Sequence, residues 1–185
     1  DHVRQMVALP LHAEIHSQTN FPASAGIASY ASAFAALALA ASHAAGLNLS
    51  QAELSALARL GSGSAARSIP AGFVEWHAAS THLGSYAETF AEPDHWALID
   101  LVVIVQQQPK ETGSTEGHQL AQSSPLQPVR ASSAAQRLKI CRQAILEKDF
   151  PTLAQAIELD SNLMHAAMMT SSPPLFYWEP LTLQI

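Results

Sequence analysis

The run Gly61-Ser62-Gly63-Ser64-Ala65-Ala66-Arg67-Ser68 sets hydroxyls and a guanidinium among residues too small to block a ligand. Such a run can offer an anion a bidentate fork together with neutral donors. The chain has only nine Lys plus Arg, and no Asp or Glu lies within this run, so Arg67 has no local acid to neutralise it. A ligand role fits Arg67 better than a solvated surface role. A second run, Phe21-Pro22-Ala23-Ser24-Ala25-Gly26-Ile27-Ala28-Ser29, precedes a helical pattern. Small residues let backbone N–H groups approach a ligand, and a helix start adds roughly half a positive charge, which suits phosphate. A tight turn built for close packing explains the same residues equally well. His12, Glu14 and His16 alternate at a spacing that could ligate a metal, but no fourth ligand is apparent and a polar strand face is the simpler reading.

These residues need elements to position them. Alternation from Leu9 to Ile15 predicts a half-buried strand. Ala28 to Ala45 predicts a long buried helix closed by Gly46, and Ser50 with Glu53 has the capping-box spacing for a second helix that ends at Gly61. Short strands are expected at 72–77 and 86–90. The β-branched run Leu98 to Val105 predicts a central strand. Polar Gln106 to Gly113, with Pro109, marks the expected domain boundary, giving domains 1–108 and 109–185. Helices are expected at 114–123, 133–148 and 150–170, with Pro173-Pro174 forcing a break. Trp76, Trp96 and Trp178 read as packing anchors, Met164, Met168 and Met169 as core, and His165 as a helix-packing histidine.

Composition narrows the function. The 185 residues are 48% hydrophobic and 13% charged, enough for one substantial core or two small ones, and the formal charge is −6. That balance argues against an electrostatic grip on nucleic acid or anionic lipid. The greasy stretch Phe34 to Ala41 is far shorter than the ~20 residues of a membrane span. Cys141 is the single cysteine, so a disulfide framework is excluded and a reducing cytoplasm is the expected setting. The start has neither Met nor a basic leader, which suggests a beginning inside a longer gene product.

Thr19 to Ala31 and Arg59 to Trp76 resemble, in order and spacing, the patterns NNFPTAAGLASSA and RxGSGSACRSxxGGFVEW of the diphosphomevalonate decarboxylases, members of the GHMP kinase superfamily. Further along, Lys110 to Gly117 is similar to KEVSSTEGM, Ser123 to Leu126 to TSPLF, and Asp160 to Pro174 to DSNxFHAxxxxxxPP. The resemblance implies an α+β, two-domain GHMP fold with a ribosomal-protein-like first domain and a helix-rich, ferredoxin-like second one, truncated here at both ends. It implies ATP-dependent decarboxylation of mevalonate 5-diphosphate to isopentenyl diphosphate, with Mg²⁺, in a homodimer.

By the same resemblance, Arg67 and Ser64 are catalytic and bind substrate together with Ser62 and Ser124. The residues Ala25, Gly26, Ile27, Ala28, Ser29 and Tyr30 face ATP, Tyr30 standing where the family has a serine. The family's N-terminal lysine and the aspartate of its DAGPN block have no counterpart in the chain. Two alternatives follow: a phosphomevalonate decarboxylase or mevalonate 3-kinase of the same fold, and a non-catalytic remnant or half of a split protein.

Overall fold

A computed structural model describes every residue except Leu9, Leu11, 21–28 and 106–111. The described residues form two compact units, Asp1–Ala97 and Leu98–Ile185, and most of the polar stretch expected as a domain boundary, 106–113, lies outside the described residues.

In the first unit, a short helix α1 (His2–Met6) precedes α2 (Ser29–Ala44), α3 (Gln51–Arg59), a 3₁₀ turn at Gly63–Ser68, and the strands β1 (Phe73–Trp76) and β2 (Ala87–Ala91). One face of α2 buries Ala31, Ala35, Ala38 and Ser42, a stripe at helical spacing whose small side chains allow α3 and the 3₁₀ turn to pack closely. Ala38, Leu57, Ala58 and Ala65 form the buried centre, with Val3, Phe34, Leu49, Leu54 and Ile69 packed around it. Gly46, at φ +71°, ends the chain's turn out of α2 in the left-handed conformation that glycine adopts without a Cβ penalty. The strands pair antiparallel, with Val74 opposite Thr89 and Trp76 opposite Ala87. Alternation therefore sends Val74 and Trp76 to the face that carries buried Ala87.

The second unit contains α4 (Ser114–Ala121), α5 (Gln127–Ser132), α6 (Ala134–Glu147), α7 (Phe150–Met169) and a terminal 3₁₀ turn at Pro180–Leu183. Between α6 and α7, Lys148 adopts φ +57° and Asp149 caps α7 by accepting from Thr152 N at 3.2 Å and Thr152 Oγ1 at 2.6 Å. After α7 the tail folds back on it, its Trp178 ring 4.4 Å from that of His165.

Two expected strands are absent among the described residues. Pro10 and His12–Asn20 carry no strand, with Ile15 64% exposed, and Leu98–Val105 carries none either, with Ile99 93% exposed. β-Branched composition reports fitness for a pleated, half-buried surface, and a strand still needs a neighbour to supply its ladder. The one ladder among the described residues is that of β1 with β2. The expected strands at 72–77 and 86–90, which do have each other, form.

Candidate functional site

The Arg67 turn is built from α3 outward. Ser50 opens that helix with a full capping box, its N donating to Glu53 Oε2 at 2.8 Å and its Oγ accepting from Glu53 N at 3.3 Å. Beyond Leu60 the chain passes directly under the ring of Phe34, and a Cβ at Gly61 would overlap that ring. Only glycine fits. The next residues wind as a 3₁₀ turn, in which positions three apart eclipse, so Ser64 and Arg67 share one face. Ser62 Oγ lies 3.1 Å from Ser64 Oγ, which pairs the two hydroxyls at the turn's entrance.

Ser55, fully buried, fixes this turn to the rest of the unit. Its Oγ donates to Ala66 O at 2.9 Å and accepts from Ala87 N at 2.8 Å, so one hydroxyl joins α3, the residue next to Arg67, and β2. Buried polar groups left without such partners are costly, and here donor and acceptor are both satisfied.

Arg67 itself is exposed. Among the described residues it makes no salt bridge and no side-chain hydrogen bond; its guanidinium carbon lies 5.5 Å from the centre of the Trp76 ring. Trp76 Nε1 donates to Ser85 Oγ at 3.1 Å. Arg59 behaves differently: its Nε donates to Ser85 O at 3.1 Å and its Nη2 lies 3.1 Å from His82 Nδ1. Facing an N–H donor, that nitrogen must present its lone pair. Burial first, then the charges of Arg59 and His2, hold the His82 pKa below the usual imidazole range.

The other expected site residues fall elsewhere. Ala25, Gly26, Ile27 and Ala28 lie outside the described residues, whereas Ser29 is the first residue of α2, whose first turn carries no acid, and Tyr30 is 67% exposed. Ser124 belongs to the second unit and is buried, with its Oγ 2.7 Å from Thr170 Oγ1 and accepting from Leu126 N at 3.1 Å. Its hydroxyl is committed to joining the end of α7 to the start of α5. His16 pairs with Glu14 at 2.9 Å on an exposed stretch. Among the described residues no three metal-ligating side chains gather, and no helix is long and apolar enough to cross a membrane.

Comparison with known proteins meets this geometry at both units. Residues 1–87 match the family model of the diphosphomevalonate decarboxylase-like N-terminal domain, and residues 100–185 that of the mevalonate 5-diphosphate decarboxylase C-terminal domain. The chain belongs to the diphosphomevalonate decarboxylase family. It is 41% identical over 178 residues to diphosphomevalonate decarboxylase mvd1 of Aspergillus fumigatus, covering 94% of this chain and 44% of that protein. The human diphosphomevalonate decarboxylase is 37% identical over 183 residues, covering 96% of this chain and 45% of that one. Among solved structures, mevalonate diphosphate decarboxylase from Staphylococcus aureus superimposes with a TM-score of 0.89 at 34% identity, covering 99% of this chain and 56% of that chain. A second, "MDDEF in complex with MVAPP, AMPPCP and Magnesium", gives 0.88 at 34% identity, covering 99% and 57%. The chain thus has the mixed α+β fold of these enzymes and spans about half the length of the relatives it matches.

Sequence reasoning singled out Ser62, Ser64 and Arg67 but missed the residues that hold them. From sequence Trp76 reads as a packing anchor, and Ser55, Ser85 and Arg59 carry no signal of a role. For Trp76 a signal exists in the alternation of Phe73-Val74-Glu75-Trp76, which turns the indole to the same side as Ala87. For Ser55 there is none, because a serine inside a helix reads as indifferent until its partners from two distant elements are known.

Proposed function

We propose that the Arg67 turn is the substrate-anion subsite of an ATP-dependent diphosphomevalonate decarboxylase. The reaction phosphorylates the tertiary 3-hydroxyl of mevalonate 5-diphosphate; the new phosphate then leaves with its C–O electron pair as the carboxylate departs as CO₂, whose C–C pair forms the double bond of isopentenyl diphosphate. One observation carries the reading. The guanidinium of Arg67, set on the Ser64 face of a turn fixed by Ser55, has no acid bound to it among the described residues, so all its N–H donors are available.

Arg67 would take the substrate carboxylate in its fork, orienting the bond that breaks, with Ser64 donating beside it and Ser62 supporting Ser64. Donors fixed before the reaction stabilise charge without reorganising as it develops. ATP with Mg²⁺ would belong to Ala25–Tyr30: Ser29 opens a sixteen-residue helix whose own first turn carries no acid, and the positive end of a helix suits phosphate. When bound, this nucleotide supplies the phosphoryl group, and the metal offsets phosphate charge. Ser124, the remaining residue of the expected binding set, lies in the second unit with its Oγ bonded to Thr170 Oγ1 and Leu126 N.

The test is calorimetric titration of the chain with mevalonate 5-diphosphate, mevalonate 5-phosphate and ATP, with Arg67→Ala as the control. Binding of the mevalonate diphosphate that disappears in the variant is expected. Equal binding by wild type and Arg67→Ala would remove this subsite, and preference for the monophosphate would change the substrate.

A further inference from the structure

We propose that Trp76 is a positioning residue for Arg67, its indole acting as a shelf that holds the guanidinium in place for an anion. The proposal rests on the functional reading above for the identity of that anion. An exposed arginine on a flexible stem samples many rotamers, and an anion that meets it must first order it. A neighbouring acid would order the side chain too, but it would occupy the same N–H donors and cancel the charge. An aromatic face attracts the cation through its quadrupole and uses no donor. The guanidinium carbon, 5.5 Å from the ring centre, lies within the reach of that attraction.

The indole is itself held on separate sides. Its Nε1 donates to Ser85 Oγ at 3.1 Å. Its six-membered ring lies against the backbone of Gly63, where a Cβ would come within 3.2 Å of Cη2 and 3.7 Å of Cζ3. Gly63 therefore lets the indole touch the turn between Ser62 and Ser64, the paired hydroxyls, while the same indole carries Arg67. Ser85 is fixed in turn, because its carbonyl accepts from Arg59 Nε at 3.1 Å. One arginine thus braces the support and the other rests on it. Filling space alone does not require an indole beneath a cation that has no other side-chain partner among the described residues.

The experiment uses the whole chain, wild type and Trp76→Leu, Trp76→Phe, Arg67→Ala and the Trp76→Leu/Arg67→Ala double variant, with melting temperature recorded for each. The first readout needs no ligand: the ring current of Trp76 should move the Arg67 side-chain resonances upfield, a shift lost in Trp76→Leu and partly kept in Trp76→Phe. The second is the Kd for mevalonate 5-diphosphate, expected to weaken about two- to tenfold in Trp76→Leu, less in Trp76→Phe, and not at all when Trp76→Leu is added to Arg67→Ala. Should Trp76→Leu fail to fold, Trp76→Phe and Ser85→Ala carry both readouts. Absence of the upfield shift in wild type, or unchanged affinity in a folded Trp76→Leu, overturns the proposal. A wild type that keeps the shift but binds no mevalonate diphosphate overturns the functional reading and leaves Trp76 as the support of Arg67.

Discussion

Arg67 and Arg137 show two opposite uses of one side chain. Arg137, on α6 in the second unit, is only 8% exposed, and its whole fork is engaged: Nε to Asp160 Oδ1 at 2.8 Å, Nη1 to Ser133 Oγ at 2.6 Å, and Nη2 to Arg130 O at 3.0 Å. It ties α5, α6 and α7 together, with each of its three nitrogens bonded inside the fold. Arg67 is exposed, lies over the Trp76 ring and makes no side-chain hydrogen bond or salt bridge among the described residues. The contrast teaches that burial and full pairing mark an arginine that holds a fold, whereas support without pairing marks one available for chemistry.

Ligand affinity should break this contrast most visibly if it is false. Arg67→Ala is expected to weaken mevalonate 5-diphosphate binding by about 10- to 100-fold, the loss of charge-assisted bonds, while melting within about a degree of wild type. Calorimetry and thermal melting of the same preparation check both halves. Asp160→Ala, which strips Arg137 of its carboxylate and leaves a buried guanidinium with an unpaired donor, should cost about 1.5–3 kcal/mol in urea unfolding. Its effect on ligand affinity should be small. The two substitutions would then be mirror images.

Ser55→Ala sharpens the comparison because it strikes the support rather than the arginine. With Ala87 N–H and Ala66 O both left without their hydroxyl partner, a loss of about 1–3 kcal/mol is expected, together with weaker ligand binding, since Ala66 precedes Arg67. Loss of stability with affinity intact would show that the turn does not need this anchor.

The smallest expected effect concerns Arg59, intermediate between the other two. The His82 pKa is lowered in the folded state, so the unfolded chain takes up the proton first. The associated stability is present above the unfolded imidazole value of about 6.5 and is lost as pH falls through the lower folded value. Melting between pH 7.5 and 5 should therefore decline less steeply in His82→Asn than in wild type. Parallel profiles would show that the Arg59–His82 bond carries no proton linkage.

Local signals made much of this molecule legible. The capping box at Ser50 and Glu53, the glycine closing α2, the paired strands on either side of a turn, and the long helices after residue 113 all depend on near neighbours in sequence. So does the Gly-Ser turn at Gly63–Ser68. What escaped depends on distant partners. Ser55 joins residues eleven and thirty-two positions away, and Arg137 meets Asp160 twenty-three positions on, neither of which has a local trace. Ser124 is a further case, because its bond to Thr170, forty-six residues later, has no local trace either. Leu98–Val105 has the β-branched composition of a strand but no strand beside it among the described residues.

That segment has a practical consequence for handling the purified chain. Ile99, Leu101 and Ile104 are 93%, 83% and 70% exposed, next to amides outside any ladder. An exposed, apolar, β-prone segment of this kind is a template for self-association, so particle size should grow with protein concentration, and lysine substitutions on the segment should suppress that growth.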